Sequence, residues 1–168
     1  MLRRLALFAG LLAACSAPAE SSTTSAVRDP FIAFGPDFEG FQAWERMPIP
    51  AAELDDPVHG GNRAIYVNKR PAKGSTQFPV GTIIVKQMES AGGQTFAMVK
   101  RGGGFNPDGA TGWEWFRLVA AGGTVTIAWR GVGPPDGETY GGAAGGVCNG
   151  CHFAGKANDW VLYEGLKL

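Results

Sequence analysis

The stretch that decides the fold reads Gly81-Thr82-Ile83-Ile84-Val85-Lys86-Gln87-Met88. Its run of β-branched residues is typical of a strand. A turn sequence, Ala91-Gly92-Gly93, follows it, and Gln94 to Arg101 is again rich in strand-forming residues. These two segments predict a β-hairpin, and the rest of the fold is built outward from it.

Three further β-prone segments lie outside this hairpin, at residues 62–69, 113–119 and 124–130. The chain also contains 26 glycines and 11 prolines, which argues against a helical bundle and for short strands joined by turns. Asp37 to Trp44 predicts one short helix that ends before Pro48. The sequence therefore predicts a β-rich α+β fold with an antiparallel sheet of about five strands and minor helices.

Near the end of the chain, Cys148-Asn149-Gly150-Cys151-His152 forms a C-x-x-C-H pattern, the attachment signature of c-type haem. On a helical turn, residues three and four positions apart share one face. Cys148 and Cys151 would then form thioethers to one porphyrin edge, while His152 reaches the iron as an axial ligand. The pattern predicts one covalent haem c on a C-terminal helical turn.

A zinc half-site and a redox-active pair are the alternatives for these two cysteines, beside a chance match. A C-x-x-C zinc half-site needs two more ligands, and outside the motif the chain offers Cys15 and His59. A thioredoxin-type redox pair needs a strand before the motif and a long helix after it. Here a glycine-rich segment precedes the motif and Gly155 soon follows, so haem attachment is the favoured interpretation.

The N-terminus has the pattern of an export signal. Arg3 and Arg4 precede an apolar run that is too short to span a bilayer. Leu12-Ala13-Ala14-Cys15 then resembles a bacterial lipobox, a signal in which the cysteine is acylated. Cleavage after Ala17-Pro18-Ala19 is the alternative, and it would release a soluble periplasmic protein.

This N-terminal pattern divides the chain into three parts. We predict a lipoprotein-type signal peptide over residues 1–14, a disordered tether over residues 15–30 and a haem domain over residues 31–168. The expected location is the periplasmic side of a bacterial membrane, held there by a lipid on Cys15. The formal net charge is +0, so nothing suggests a nucleic-acid partner.

The position of the haem motif bears on the sixth ligand of the iron. Only 16 residues follow His152, and none of them is Met or His. Met88 and Met98 lie upstream on predicted strands, where core packing explains them better, and His59 lies in a predicted loop. An open iron binds or activates small molecules, whereas two strong axial ligands favour electron transfer. The sequence therefore favours an open distal side.

Three stretches resemble sequences of the cytochrome P-460 family, which includes cytochrome c′-beta. They are Phe78-Pro79-Val80-Gly81-Thr82-Ile83-Ile84-Val85-Lys86, Cys148 to His152 followed by Asn158-Asp159-Trp160-Val161, and the weaker Arg63-Ala64-Ile65-Tyr66-Val67-Asn68. The similarity covers roughly residues 38–168. It implies a β-sheet domain, dimeric in many members, with haem against the sheet. P-460 members oxidise hydroxylamine, and c′-beta members bind nitric oxide and similar gases.

Lys86 is unusual because strand alternation places it on the same face as Ile84 and Met88. From the residues alone, its side chain either snorkels to water or lies beside a group that uses the amine. The resemblance implies the second alternative, since Lys86 matches the family lysine that cross-links to the haem macrocycle. The c′-beta relatives carry this lysine without the bond.

The distal side departs from the enzyme pattern. The resemblance implies a distal carboxylate on the strand after the lysine, where this chain has Phe96. An apolar cap at Phe96 is the c′-beta arrangement. Glu89 and Glu114 are weaker candidate acids, each also interpretable as a solvated residue at a strand end or edge.

These expectations combine into one functional prediction. The chain is expected to be an exported haem oxidoreductase that oxidises hydroxylamine or a related nitrogen species and passes electrons to a partner such as another cytochrome c. The first alternative is a non-enzymatic nitric oxide binder of c′-beta type, and the second is a plain electron-transfer cytochrome c. Phe96 favours the binder, whereas Lys86 is compatible with both of the first two. The resemblance also implies a homodimer.

Overall fold

The computed structural model describes residues 29–51, 62–89, 93–134 and 148–168. Within these ranges six antiparallel strands form one sheet in chain order, so that each strand pairs with the next. The predicted β-rich antiparallel sheet is confirmed, but it has six strands where about five were expected. The strands are β1 Glu45–Met47, β2 Arg63–Val67, β3 Ile83–Met88, β4 Thr95–Lys100, β5 Trp113–Ala121 and β6 Thr124–Gly131.

The strand absent from the prediction is β1, which follows the segment where one short helix was expected. That segment forms two 3-10 helices instead, Gly35–Phe38 and Phe41–Ala43, separated by Gly40 with a φ of 68°. The chain then pairs with β2, with Met47 opposite Ile65. A three-residue strand is too short for the alternation of apolar and polar residues to be visible in the sequence.

The hairpin predicted from the Gly81–Met88 stretch is formed by β3 and β4. Its register places Ile84 opposite Met98 and Lys86 opposite Phe96. On its other side β3 pairs with β2, where Ile65 faces Lys86. Lys86 therefore lies in the interior of the sheet, with apolar residues beside it on both neighbouring strands.

The two faces of the sheet carry separate apolar clusters, because successive side chains of a strand point to opposite sides. The N-terminal face is covered by the segment that precedes β1, and it includes Ala33, Phe38, Phe41, Tyr66, Val85 and Phe116. The C-terminal face is covered by the last residues of the chain, and it includes Ile84, Met98, Trp115, Trp160, Val161 and Leu166. The sheet is thus buried on both sides, with the two covering segments on opposite faces.

The short helix α1, Cys148–His152, is followed by a 3-10 helix, Phe153–Asn158. The helical turn expected at the C-x-x-C-H motif is therefore present. No helix within the described ranges has both the length and the apolar character needed to cross a bilayer. The predicted signal peptide over residues 1–14, Cys15 with most of the predicted tether, and His59 lie outside the described residues.

Candidate functional site

Helix α1 supplies Cys148, Cys151 and His152, whose spacing puts them on one helical face. Both cysteines are half-buried and neither is in a disulfide. Cys148 packs against the apolar cluster of the C-terminal face. Burial raises the pKa of Cys148 to about 11, so its sulfur is a protonated thiol at neutral pH.

The His152 imidazole is fixed by one hydrogen bond. Its Nδ1 lies 2.8 Å from the carbonyl oxygen of Trp160, and only a protonated Nδ1 can donate to that oxygen. Burial lowers the pKa of His152 to about 4; the Trp160 bond opposes this shift, and the charge of Lys86 adds to it. At neutral pH the ring is therefore neutral, with the lone pair on Nε2. This is the tautomer that a metal-ligating histidine adopts when its other nitrogen donates to a carbonyl.

A cavity of about 460 Å³ is lined by His152 and by residues of the sheet. This volume is within the range of about 300–1,000 Å³ that is usual for small-molecule and cofactor pockets. Its walls are mostly apolar and come from the C-terminal face and from the last residues of the chain. They include Ile65, Ile84, Met98, Trp115, Val161 and Tyr163. The ring of Trp115 also packs on His152, with 4.5 Å between ring centroids.

Lys86 and Phe96, predicted from the sequence as haem-modifying and distal residues, both line this cavity together with His152. The Lys86 ammonium lies 5.2 Å from the centroid of the Phe96 ring. Its charge lowers the pKa of His152 and also that of Cys148, although burial is the larger influence on both. The structure thus brings two residues of the central hairpin together with the C-x-x-C-H turn.

The two candidate acids lie elsewhere, and neither lines the cavity. Glu89 is exposed and pairs with Arg46 at 2.8 Å. Glu114 is buried on the N-terminal face, where it accepts hydrogen bonds from Arg101 and Arg130. The interpretation as a solvated residue therefore holds for Glu89 but not for Glu114, whose carboxylate is balanced by two guanidinium groups.

The two methionines weighed as sixth ligands differ in position. Met98 lines the cavity and also belongs to the apolar cluster of the C-terminal face. Met88 does not line it. Met98 is therefore the methionine whose sulfur could approach a ligand in this pocket.

Asn149, between the two cysteines, is a site residue that the sequence patterns did not indicate. Its Oδ1 accepts hydrogen bonds from Asn106 Nδ2 at 2.8 Å, from the Ala110 amide at 3.2 Å and from Trp115 Nε1 at 3.0 Å. Its Nδ2 donates to Asn106 Oδ1 at 3.0 Å. One side chain therefore fixes the C-x-x-C-H turn to the β4–β5 loop and to the tryptophan that packs on His152.

A second interaction that the sequence did not indicate is the ion pair of 2.7 Å between Lys100 and Asp159. The two side chains are only 6% and 7% exposed, so water screens the pair little. Lys100 also donates to the Thr111 carbonyl, and Asp159 accepts from the Phe78 amide. Burial lowers the pKa of Lys100, and the hydrogen bond to Asp159 opposes that shift. Removing one partner of such a buried pair costs about 3–5 kcal/mol.

The geometry argues against the redox interpretation of the cysteine pair, whereas Cys15 and His59, the further zinc ligands that the sequence offers, lie outside the described residues. Across the described ranges, no group of three or more His, Cys, Asp or Glu side chains is arranged to hold a metal ion. After Cys151 the α-helix ends at His152 and continues only as a 3-10 helix, whereas a thioredoxin-type pair begins a long helix.

The residues present fit a haem held by thioethers and one histidine. His152 has a neutral imidazole whose Nδ1 is engaged and whose Nε2 is left for a metal. The cavity beside it is largely apolar, and the lining residues Arg63 and Lys86 are the cations that could meet acidic substituents of a macrocycle. Comparison of the chain with protein-family models, curated proteins and solved structures found no match.

The Asn149 contacts predict that Gly109 cannot carry a side chain. A Cβ at this position would collide with Asn149 Nδ2 and lie 2.6 Å from Asn106 Oδ1. Gly109→Ala should therefore destabilise the protein by about 1–3 kcal/mol, the usual cost of overpacking. The matched control is Gly133→Ala, since a Cβ there meets nothing within 4 Å. Equal free energies of unfolding for the two variants in urea titrations would contradict the Asn149 clamp.

The environment of His152 predicts its titration in protein produced without haem. We expect a midpoint near pH 4 rather than the ordinary 6.5. Because the pKa of His152 is depressed in the folded state, protonating the ring disfavours folding. The protein therefore keeps its full stability above pH 6.5 and loses stability as the pH falls towards 4. Lys86→Met should raise the pKa, since it removes a neighbouring positive charge.

Proton NMR of the imidazole ring measures this directly. The chain has two histidines, so His59→Gln leaves the His152 signals alone in the spectrum. A midpoint near 6.5 that Lys86→Met does not move would mean that the ring is solvated and does not face the cavity.

Proposed function

We propose that this chain is a c-type mono-haem protein that binds nitric oxide or a similar small nitrogen species, as the cytochrome c′-beta relatives do. The observation that carries the proposal is the meeting of His152, Lys86 and Phe96 around one apolar cavity. His152 was selected from the C-x-x-C-H pattern, and Lys86 and Phe96 from the resemblance; all three line the same cavity.

The side chains of α1 have the chemistry that attachment needs. Cys148 and Cys151 would hold the macrocycle through thioethers, and Nε2 of His152 would be the iron ligand. The Trp160 carbonyl keeps that nitrogen unprotonated by holding the proton on Nδ1. A haem held here would supply an iron with an open coordination position for a small ligand.

The character of the cavity favours a ligand that needs no proton transfer. Phe96, Ile84 and Met98 present apolar surface to the space beside His152. Of the residues described around the cavity, Glu164 is the only carboxylate, and its side chain is 74% exposed. A ligand inside the cavity would therefore meet apolar walls and the Lys86 cation rather than a buried proton acceptor.

The second candidate is hydroxylamine oxidation, the function expected from the sequence. The position of Lys86 in the cavity favours it, because a lysine there can modify a bound macrocycle. This reaction needs a group that accepts protons from the substrate, and Glu164 at the cavity rim is the described candidate. The electrons would leave to a redox partner such as another cytochrome c.

Electron transfer is the third candidate, and Met98 is the observation that favours it. A methionine lining the cavity could supply a sixth ligand, which would close the iron to small molecules. A low-spin resting spectrum that Met98→Ala converts to high spin would support this function.

The proposed location is the periplasmic side of a bacterial membrane, with a lipid on Cys15. A single acyl chain anchors a protein only marginally, so stable retention would need the several chains of a bacterial lipoprotein. A soluble periplasmic protein, released by cleavage after Ala19, is the alternative, and a homodimer is proposed with either form.

The deciding experiment compares nitric oxide binding with hydroxylamine turnover in the exported, haem-loaded protein. We expect rapid binding of nitric oxide in stopped-flow measurements and no steady oxidation of hydroxylamine with an artificial electron acceptor. Phe96→Ala should speed binding by about tenfold, equivalent to lowering the barrier by about 1.4 kcal/mol, because it widens access to the cavity.

Phe34→Ala is the matched control, since Phe34 is 61% exposed and does not line the cavity. Its binding rate should equal that of the unmodified protein. Steady turnover of hydroxylamine that disappears in Lys86→Met would instead establish the second candidate.

A further inference from the structure

Two consecutive residues beside the site adopt a backbone conformation that side-chain-bearing residues rarely take. Asp159 has a φ of 50° and Trp160 a φ of 69°. For a bulky residue such as Trp this left-handed conformation is an outlier, which persists only where the surroundings impose it. Such strain is common at functional sites.

The surroundings of Asp159 supply that restraint. Its carboxylate binds Lys100 through Oδ1 and the Phe78 amide through Oδ2, at 2.7 and 2.9 Å. Its carbonyl oxygen accepts a hydrogen bond of 2.7 Å from Trp113 Nε1. The residue is therefore bound from the β4 end, from the segment before β3 and from β5, so its conformation is determined by the sheet.

The Trp160 amide also donates to the Gly155 carbonyl, at 2.8 Å. Close packing surrounds this point, because a Cβ on Gly155 would lie 3.0 Å from the Val161 carbonyl. The strained turn determines the position of the Trp160 carbonyl, whose oxygen accepts a hydrogen bond from His152 Nδ1–H. An extended backbone at residues 159 and 160 would direct this carbonyl differently.

We propose that the Lys100–Asp159 ion pair is a positioning element for His152. It holds the strained turn at residues 159–160, and the turn aims the Trp160 carbonyl at Nδ1. The pair touches no ligand and acts only through this carbonyl. The effect of the pair on an iron ligand rests on the proposed function. An imidazole whose Nδ1–H donates a hydrogen bond would be a more basic ligand for the iron.

The test is NMR of the full chain labelled with ¹⁵N and produced without haem, because an iron on Nε2 would itself hold the proton on Nδ1. The unmodified protein should show a single Nδ1–H tautomer with slow proton exchange. In Asp159→Asn we expect a mixture of tautomers. The proton should also exchange about tenfold faster, because the hydrogen bond from His152 Nδ1–H to the Trp160 carbonyl is lost. Lys100→Arg, which keeps the charge, should preserve the unmodified spectrum.

Asp159→Asn leaves the Lys100 charge without a partner and could unfold the chain. The double variant Lys100→Met/Asp159→Asn removes both charges, avoids that penalty, and should show the same mixture of tautomers. The matched control is Glu114→Gln, which breaks a buried ion pair on the opposite face of the sheet. It should lower stability and leave the His152 signals unchanged.

A single Nδ1–H tautomer with unchanged exchange in both Asp159→Asn and the double variant would overturn the proposal. So would an equal loss of the tautomer in Glu114→Gln, because the effect would then be general destabilisation. In haem-loaded protein, Asp159→Asn should also shift the midpoint potential to a more positive value. A tautomer change in Asp159→Asn, together with an exported chain that acquires no haem, would refute the proposed function and leave the positioning role standing.

Discussion

The buried ion pair between Lys100 and Asp159 is the interaction on which the rest of the structure depends. It joins the end of β4 to the segment that closes the C-terminal face. Buried charges cost free energy unless their remaining hydrogen-bonding groups are satisfied, and here Thr111 and the Phe78 amide complete the set. Without this pair, the last residues of the chain would lose their buried ionic link to the sheet at the point where they support His152.

The stretches that resemble the cytochrome P-460 family form one continuous unit around this pair. Asn68 donates a hydrogen bond to the Gly81 carbonyl and accepts one from the Ile83 amide, which joins the stretch at β2 to the stretch that ends at Lys86. The Phe78 amide donates to Asp159, which joins that stretch to the C-terminal one. Each of the three stretches also contributes to the cavity wall, through Ile65, Lys86 and His152.

The sequence predicted the parts of the molecule that depend on local composition and spacing. Five strands and the central hairpin follow from runs of β-prone residues bounded by turn residues, and the C-x-x-C-H turn follows from its spacing. Alternation places Lys86 on the face that lines the cavity. The prediction failed where a segment was too short to show a pattern, or where one residue type is compatible with several roles. β1 has three residues, and Glu114 is a buried acid whose two arginine partners lie on other strands or loops. Asn149 and Asp159 resemble ordinary loop residues in the sequence because their partners are tertiary.

The central claim, covalent haem on α1, is tested most directly by the intact mass of the exported protein after acid–acetone extraction. Thioether attachment predicts that the colour stays with the protein and that the mass exceeds that of the processed polypeptide, with its N-terminal lipid if present, by one haem. The Cys148→Ala/Cys151→Ala variant should lose both the colour and the added mass. Extraction of the colour into the solvent, leaving a polypeptide without that added mass, would contradict it.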